Sequence, residues 1–448
     1  MFGTSKLVGN TAWGRWLEPR KSLVSLLIFA LLVRVVWMLA VDSQPVTDFD
    51  WYFERAKGIA DGVGYSHDGQ RTAYWPVGYP AALSLVFKVF GSSVLAGKIL
   101  STILVMVSLA LAWDICRSLF KDKRVADWTL AVLTVHPAFV AYSGLLASEP
   151  LYTALTLAGT TFLLQSGTKS FKFVAVSGLF FGLATLTRPI AAGLPLLTLL
   201  SLKLPGTKAE RPWRDIVLQT VFAYVALGCV VLPWTVRNYH VFGKPVFVST
   251  NGGDNLWIGN NPQATGKYIN PYTLSLELRG LSETDRDSMA TKSATDYIKS
   301  HPMKTLRLWP AKIVNTYLVG SDAPYWAFQK TKGHLEIPGK GDDKALFLAF
   351  RAYSNAVPWI LSFGFLFAVF AGLRKRELPL IGIASIAYTG VVAVVFFGNP
   401  RFAFAVVPYL VMHSMQGLVW LVDRFRTEEP SLLGGEAGEI DFEHRTRL

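Results

Sequence analysis

Residues 22–41 have the sequence SLVSLLIFALLVRVVWMLAV, an apolar run with a single charged residue, Arg34. A helix needs about 20 mostly apolar residues to cross the hydrocarbon core of a bilayer, so this run predicts a membrane span. It is too long for the core of a typical secretory signal, and no small-residue cleavage site follows it. We therefore expect an uncleaved first span, in which Arg34 has no evident partner.

Further apolar runs extend this interpretation along the chain. Apolar residues make up 51% of the 448 residues and charged residues 17%. This composition is typical of an integral membrane protein. The predicted fold is an all-α polytopic bundle of about ten transmembrane helices. The predicted spans are 22–41, 93–113, 125–143, 150–166, 172–187, 189–203, 215–236, 346–370, 378–397 and 402–422.

Basic residues are concentrated in alternate loops between the predicted spans. The formal net charge of +13 could indicate nucleic-acid binding, but these residues form short clusters. Such clusters are typical of cytoplasmic loops, where they face anionic lipid. We therefore predict a multi-pass protein of the bacterial plasma membrane, with both termini cytoplasmic, membrane lipids as partners and no nucleic acid. The clustered residues are Lys6, Arg15, Arg20, Lys21, Arg117, Lys121, Lys123, Arg124, Lys169, Lys172, Lys203, Lys208, Arg211, Arg214, Arg374, Lys375, Arg376, Arg424 and Arg426.

The longer polar segments between predicted spans are expected to lie on the opposite, extracytoplasmic side of the membrane. The longest contains a capping-box pattern, Ser282 with Asp285, which predicts a helix. The predicted divisions are an N-terminal membrane module at 1–236 with its first outer loop at 42–78, a small extracytoplasmic α-rich cap at 237–345, C-terminal transmembrane helices at 346–423 and a cytoplasmic tail at 424–448.

Three carboxylates occupy the predicted outer side. Asp48 and Asp50 follow the first span, and Glu149 precedes Pro150 at the start of another. Each could simply cap a helix N-terminus. Two cysteines far apart and no His/Cys ligand spacing argue against a metal site. The carboxylates therefore remain helix caps or catalytic groups at this point.

Arginines stand at the outer ends of other predicted helices. Arg188 precedes Pro189 and Arg401 follows Pro400, so each faces the positive end of a helix dipole. Headgroup contact, pairing with a carboxylate, or a ligand phosphate could explain them, and Arg237 is a third candidate. Simple snorkelling is the alternative. Arginines that grip a phosphate and an aspartate that takes the proton of an acceptor hydroxyl would suit transfer from a phosphate leaving group.

These motifs, in this order, resemble the GT-C glycosyltransferase superfamily, in the branch of protein O-mannosyltransferases and the lipid A aminoarabinose transferase. The resemblance runs from the first span to the last. The matching stretches are Asp48-Phe49-Asp50-Trp51-Tyr52, Gly62-Val63-Gly64-Tyr65, Ala73-Tyr74-Trp75-Pro76-Val77-Gly78-Tyr79-Pro80, Ser148-Glu149-Pro150-Leu151, Thr187-Arg188-Pro189, Leu232-Pro233-Trp234-Thr235-Val236-Arg237-Asn238 and Pro400-Arg401-Phe402.

The resemblance implies an inverting hexosyl- or pentosyltransferase (EC 2.4 class) that takes a sugar from a polyprenyl-phosphate carrier at the extracytoplasmic face. The acceptor would be a hydroxyl of a glycan, lipid or protein. Asp48 would be the general base, with Asp50 as an alternative, and Glu149 the second acidic residue. Arg188 and Arg401 would hold the phosphate. No metal or other cofactor is implied.

Two further segments are candidates for substrate contact. Tyr74 and Trp75 lie in the first outer loop, and Asn255 and Trp257 lie in a Gly/Asn-rich stretch that could equally form tight turns. The alternative function is a transporter or flippase for a lipid-linked or anionic solute. Such a protein should show an internal repeat and broken helices near the bilayer midplane, and neither is evident in the sequence.

Overall fold

The computed structural model describes most of the chain, and the described part is mostly helical. The described residues are 21–120, 122–167, 170–202, 211–270, 280–339, 341–375 and 379–433. Several predicted basic residues lie outside them, as does most of the predicted cytoplasmic tail. The residues outside are Lys6, Arg15, Arg20, Lys121, Lys169, Lys203, Lys208 and Arg376, and the segment 434–448.

The described residues of the first half of the chain form ten helices and one short hairpin. The helices are α1 Lys21–Ala40, α2 Asp48–Ala60, α3 Gly78–Phe90, α4 Val94–Leu119, α5 Lys123–Val135, α6 Pro137–Ala141, α7 Ser148–Gln165, α8 Phe171–Thr187, α9 Leu194–Ser201 and α10 Trp213–Phe242. The strands β1 Ser66–His67 and β2 Gln70–Arg71 pair antiparallel.

The second half continues with helices of the cap and of the last spans. They are α11 Gly252–Gly259, α12 Glu283–Ser300, α13 Pro302–Arg307, α14 Trp309–Tyr317, α15 Asp322–Ala327, α16 Lys344–Lys375, α17 Leu380–Val395, α18 Pro400–Ala403 and α19 Val407–Leu433. Short 3-10 turns connect some of them, at Tyr142–Gly144, Pro189–Gly193, Gly341–Asp343 and Phe404–Val406.

The prediction of a multi-pass, all-α membrane protein is confirmed. Five described helices are long and apolar enough to cross a membrane, and a pair bent by 58° at residue 136 would make a sixth. The five are Ser22–Ala40, Val94–Leu119, Trp213–Phe242, Gly341–Arg374 and Pro400–Phe425.

The count of ten spans is not confirmed and stays a prediction. Each predicted span is occupied by helix, but α8, α17 and the turn-plus-helix Pro189–Ser201 are shorter than a full crossing. The predicted domain divisions also stay predictions. Helices α10, α16 and α19 run through the boundaries proposed near residues 236, 345 and 423.

The structure supplies the partner that Arg34 lacked. Its side chain is fully buried, and Nη1 donates to the carbonyl oxygens of Ala30 (2.8 Å) and Thr134 (2.9 Å). Nη2 donates to the Leu133 carbonyl at 3.4 Å. Pro137 has no N–H, so the Leu133 carbonyl loses its helical partner where α5 breaks. Arg34 thus satisfies backbone groups that the break leaves open within the bilayer.

The cap folds largely as its sequence predicts. The Ser282 hydroxyl accepts from the Asp285 amide at 3.2 Å, so the predicted cap at the start of α12 is confirmed. Ala290 and Ala294 on that helix are fully buried. After α12 the chain forms two short helices, α13 and α14, rather than one continuous helix. Pro310 explains the break, since it removes the amide that would bond to Leu306 and fits the first turn of a new helix.

Candidate active site where helix ends converge

Four predicted residues from distant parts of the sequence meet in one cluster. Asp48 is the first residue of α2, Glu149 the second of α7, Arg188 follows the end of α8, and Arg401 lies in α18. Proline fixes two of these positions. Pro189 prevents α8 from continuing beyond Thr187, so Arg188 lies just after the helix end, and Pro400 begins α18. Helix ends therefore bring these four side chains together.

Asp48 lies against Arg401 in a buried position. Only 6% of the residue is exposed, and its Oδ2 lies 2.7 Å from Arg401 Nη1. Its Oδ1 accepts from the Thr47 hydroxyl at 3.0 Å. Thr47 has a φ of 50° and a ψ of −120°, a conformation that costs a non-glycine residue about 1–3 kcal/mol. The surrounding contacts therefore hold the backbone before Asp48 in a strained geometry, as is common at functional sites.

Glu149 links the two arginines. Its side chain is 1% exposed, and Oε1 lies 2.6 Å from Arg188 Nη2. The same oxygen accepts from Arg401 Nε. A buried carboxylate without a cationic partner would be strongly unfavourable. The four side chains thus form an uninterrupted series, Asp48–Arg401–Glu149–Arg188, in which the formal charges cancel.

Donor capacity remains on the guanidinium groups. Arginine has five N–H donors. Arg188 makes its one short contact to Glu149, whereas its bonds to the Ser148 hydroxyl are 3.3 and 3.4 Å long and its bond to the Arg401 carbonyl is 3.4 Å. Its side chain is 15% exposed and that of Arg401 is 13% exposed. Both groups can therefore still bind an anion.

A cavity of about 330 Å³ opens beside this cluster. We call it the apolar cavity. Asp48, Arg188 and Arg401 lie in its wall. Most of the remaining lining is hydrophobic, and it includes Phe247, Val248, Val392, Phe396, Phe397 and Phe402. Such a cavity suits a ligand that has an anionic group attached to a hydrocarbon chain.

Asp50 is not part of the cluster. Two residues after Asp48 on one helix, it faces another direction, and its Oδ1 lies 3.6 Å from Lys332 Nζ. Burial raises the pKa of Asp50, and the charge of Lys332 opposes that shift. The structure thus separates the two aspartates that the sequence left as alternatives.

Arg237 also lies apart from the cluster. Its Nη1 donates to the Thr72 carbonyl at 2.9 Å and its Nη2 to the Tyr65 carbonyl at 3.1 Å. The guanidinium lies 4.6 Å from the centroid of the Trp234 ring. These contacts fasten the first outer loop to α10, which is a structural role.

Two of the four predicted substrate-contact residues line the apolar cavity and two do not. Trp75 and Asn255 line the apolar cavity. The Tyr74 hydroxyl donates to Asp254 at 2.7 Å in the adjoining region. Trp257 lies in α11 and is absent from the linings of the described cavities.

Asp322 is a carboxylate at the site that the sequence analysis did not identify. The Tyr142 hydroxyl and the Trp326 indole N–H donate to it, at 2.8 and 3.0 Å. Burial raises the pKa of Asp322, and the charge of Arg401 opposes that shift. Asp322 and Arg401 line a small cavity of about 60 Å³ on the far side of the cluster. No local motif relates residue 322 to residue 401, so only the fold reveals the contact.

The metal prediction is not tested by these observations. Within the described ranges, no group of three or more His, Cys, Asp or Glu side chains is arranged to hold a metal ion. The expectation of a cofactor-independent site therefore stays a prediction.

The resemblance predicted from the sequence is supported over part of the chain by a family match, and in fold by solved structures. Residues 75–234 match the family described as dolichyl-phosphate-mannose-protein mannosyltransferase. No protein of curated function matches the sequence.

Solved structures share this fold at low sequence identity. An oligosaccharyltransferase from Archaeoglobus fulgidus, tethered to an acceptor peptide, matches with a TM-score of 0.56 and 14% identity, over 95% of this chain and 53% of that one. The archaeal oligosaccharyltransferase AglB from Archaeoglobus fulgidus, in complex with an inhibitory peptide and a dolichol-phosphate, matches with a TM-score of 0.51 and 13% identity, over 94% and 52%. The chain therefore spans about half the length of these archaeal relatives.

A weaker likeness links the structure to ArnT from Cupriavidus metallidurans, solved with undecaprenyl phosphate. The TM-score is 0.42 at 12% identity, over 92% of this chain and 81% of that one.

Proposed function

We propose that the protein is a glycosyltransferase that moves a sugar from a polyprenyl-phosphate carrier to an acceptor hydroxyl, with inversion at the anomeric carbon. One observation carries this proposal. The series Asp48–Arg401–Glu149–Arg188 stands in the wall of a cavity whose remaining lining is mostly apolar. If the phosphate binds Arg188 and Arg401, the carrier chain would contact the hydrophobic lining of the cavity, and the sugar would lie near the carboxylate of Asp48.

The reaction assigns a role to each of these residues. Asp48 accepts the proton as the acceptor oxygen forms its bond to the anomeric carbon. The bond from that carbon to the phosphate oxygen breaks, and the electron pair leaves with the phosphate. Arg188 and Arg401 stabilise the charge that develops there. Glu149 is a positioning residue, because it holds both guanidinium groups in place. No step needs a metal ion or another cofactor.

The relatives support the donor class. AglB has been solved with a dolichol-phosphate, and the matched family takes its description from dolichyl-phosphate-mannose. The transporter alternative gains no support, since the family and the neighbours are glycosyltransferases.

We further propose the membrane and the orientation. The basic clusters between the spans favour cytoplasmic termini, which would put the site at the extracytoplasmic face of a bacterial plasma membrane. Membrane lipids would then surround α1 and α16, whose exposed side chains include Leu32, Val36, Ile360 and Phe363.

Replacing Asp48 by asparagine tests the mechanism. Asp48→Asn keeps the shape of the side chain but removes the base, so transfer should fall by about 10²–10⁴-fold. Binding of undecaprenyl phosphate should persist. Asp61→Asn, at an exposed position after α2, is the matched control and should keep full activity. Undiminished transfer by Asp48→Asn would refute the assigned base.

A further inference from the structure

A second cavity adjoins the apolar one and is different in chemistry. It has a volume of about 540 Å³ and is built from the first outer loop and the cap. We call it the polar cavity. Asp254, Glu283 and Arg286 lie in its wall together with Trp51 and Tyr74, and Asp48 lies in the walls of both cavities. A molecule in the polar cavity would therefore meet a donor in the apolar cavity at the proposed base.

The wall of the polar cavity is fixed by internal ion pairing and hydrogen bonding. Arg286 Nε contacts both carboxylate oxygens of Asp254, at 3.0 and 2.9 Å, and the Tyr74 hydroxyl donates to the same carboxylate. Glu283 accepts from the Ala73 amide at 3.0 Å and from the Thr250 hydroxyl at 3.1 Å. These contacts join the first outer loop to α12. The cavity is thus formed before any ligand arrives, as binding sites generally are.

Charge distinguishes the two cavities. The apolar cavity has two arginines in its wall. In the lining of the polar cavity Asp48 is paired with Arg401 and Asp254 with Arg286, which leaves Glu283, among the described residues, as the carboxylate without a cationic partner in that wall. An anion is repelled by such a lining, whereas an uncharged polar molecule is not. The electrostatics therefore direct phosphate to one cavity and a neutral molecule to the other.

Two groups in the shared wall are free to bind a ligand. The side-chain amide of Asn255 and the indole N–H of Trp75 have no hydrogen-bond partner within the described part of the chain. An amide offers both donors and acceptors, which suits a molecule that bears several hydroxyl groups. Aromatic rings beside it offer apolar surface. This mixture of planar amide, aromatic ring and carboxylate matches the mixed polar and apolar faces of a sugar.

We propose that the polar cavity binds the acceptor, and that the acceptor is the end of a neutral glycan. The inference rests on the proposed function and adds the acceptor class to it. A volume of about 540 Å³ falls in the range of roughly 300–1,000 Å³ that small-molecule sites occupy. An extended peptide that binds by strand addition needs an exposed strand edge. The described strands have two residues each, and only His67 from them reaches the wall.

A variant that fills the polar cavity provides the test. Leu281 is 40% exposed, lines this cavity and is absent from the lining of the apolar one. Leu281→Trp adds bulk inside the cavity. Met289→Trp is the matched control, because Met289 is also 40% exposed and lies outside both linings. Both variants should bind undecaprenyl phosphate like the wild type, which also shows that they fold.

Acceptor binding is measured by saturation-transfer difference NMR with four separate probes, namely mannotriose, arabinotriose, a Ser/Thr-containing hexapeptide and glucose 1-phosphate. We expect a neutral trisaccharide to bind the wild type and the Met289→Trp variant, and to bind Leu281→Trp at least roughly tenfold more weakly. Binding of the peptide or the sugar phosphate alone, binding of none of the probes, or equal trisaccharide binding by both variants would overturn the proposal. Failure of the wild type to bind undecaprenyl phosphate would instead count against the proposed function.

Discussion

The roles of Asp48 and Asp50 can be predicted only partly from the residues next to them in the sequence. The pattern after the first span indicates a carboxylate of functional interest but does not decide between the two. The helical geometry of α2 separates the two side chains, since residues two apart face different directions. Asp48 reaches Arg401, whereas Asp50 faces Lys332.

The guanidinium group of Arg188 is expected to bind the carrier phosphate through paired hydrogen bonds. Arg188→Ala removes the charged donors that would hold the phosphate, so undecaprenyl phosphate should bind more weakly by about 1.5–3 kcal/mol. Arg188→Lys keeps the charge but loses the planar fork, so its loss should be smaller. Isothermal titration with both variants measures the difference. Equal losses for alanine and lysine would argue against paired hydrogen bonds to the phosphate.

Helix ends are the elements that build the site, and the sequence shows many of them. Proline at 150, 189 and 400 marks helix starts beside Glu149, Arg188 and Arg401. The prediction that these residues share one membrane face therefore follows from local signals. The contacts of Arg34, Lys312 and Asp322 could not be predicted, because each depends on backbone or side chains remote in sequence.

Lys312 makes such contacts between helices that are remote in sequence. It is fully buried in α14, and its Nζ donates to the Asn260 side chain at 3.1 Å and to the Val394 carbonyl at 2.8 Å. Burial lowers the pKa of Lys312 to about 8. The Val394 carbonyl is one of the last in α17, where a cation is favourable. Lys312 thus fastens the cap to the turn that leads to Arg401.

Lys312→Met should weaken this junction. Two buried acceptors would lose their donor, at a cost of about 1–3 kcal/mol each, so thermal unfolding should begin at a lower temperature. The KM for the donor should rise, because the turn also forms part of the apolar cavity. Lys292→Met, at an exposed position of α12, is the matched control. Unchanged unfolding and an unchanged KM would show that the Lys312 contacts contribute little.

At the scale of the whole molecule, two cavities of opposite character share Asp48 in their walls. The class of fold was predictable, because apolar run length and basic clusters are properties of the sequence itself. The division into a mostly apolar cavity and a more polar one was not predictable. It depends on how the cap at α11 and α12 meets the first outer loop, and no local pattern encodes that packing.

A structure of the protein with undecaprenyl phosphate, determined by electron cryo-microscopy, tests the central claim most directly. The account predicts phosphate density within hydrogen-bonding distance of Arg188 and Arg401, with the carrier chain along Val392 and Phe396. Phosphate density elsewhere, for example beside Arg237, or a carrier chain outside the apolar cavity would contradict it.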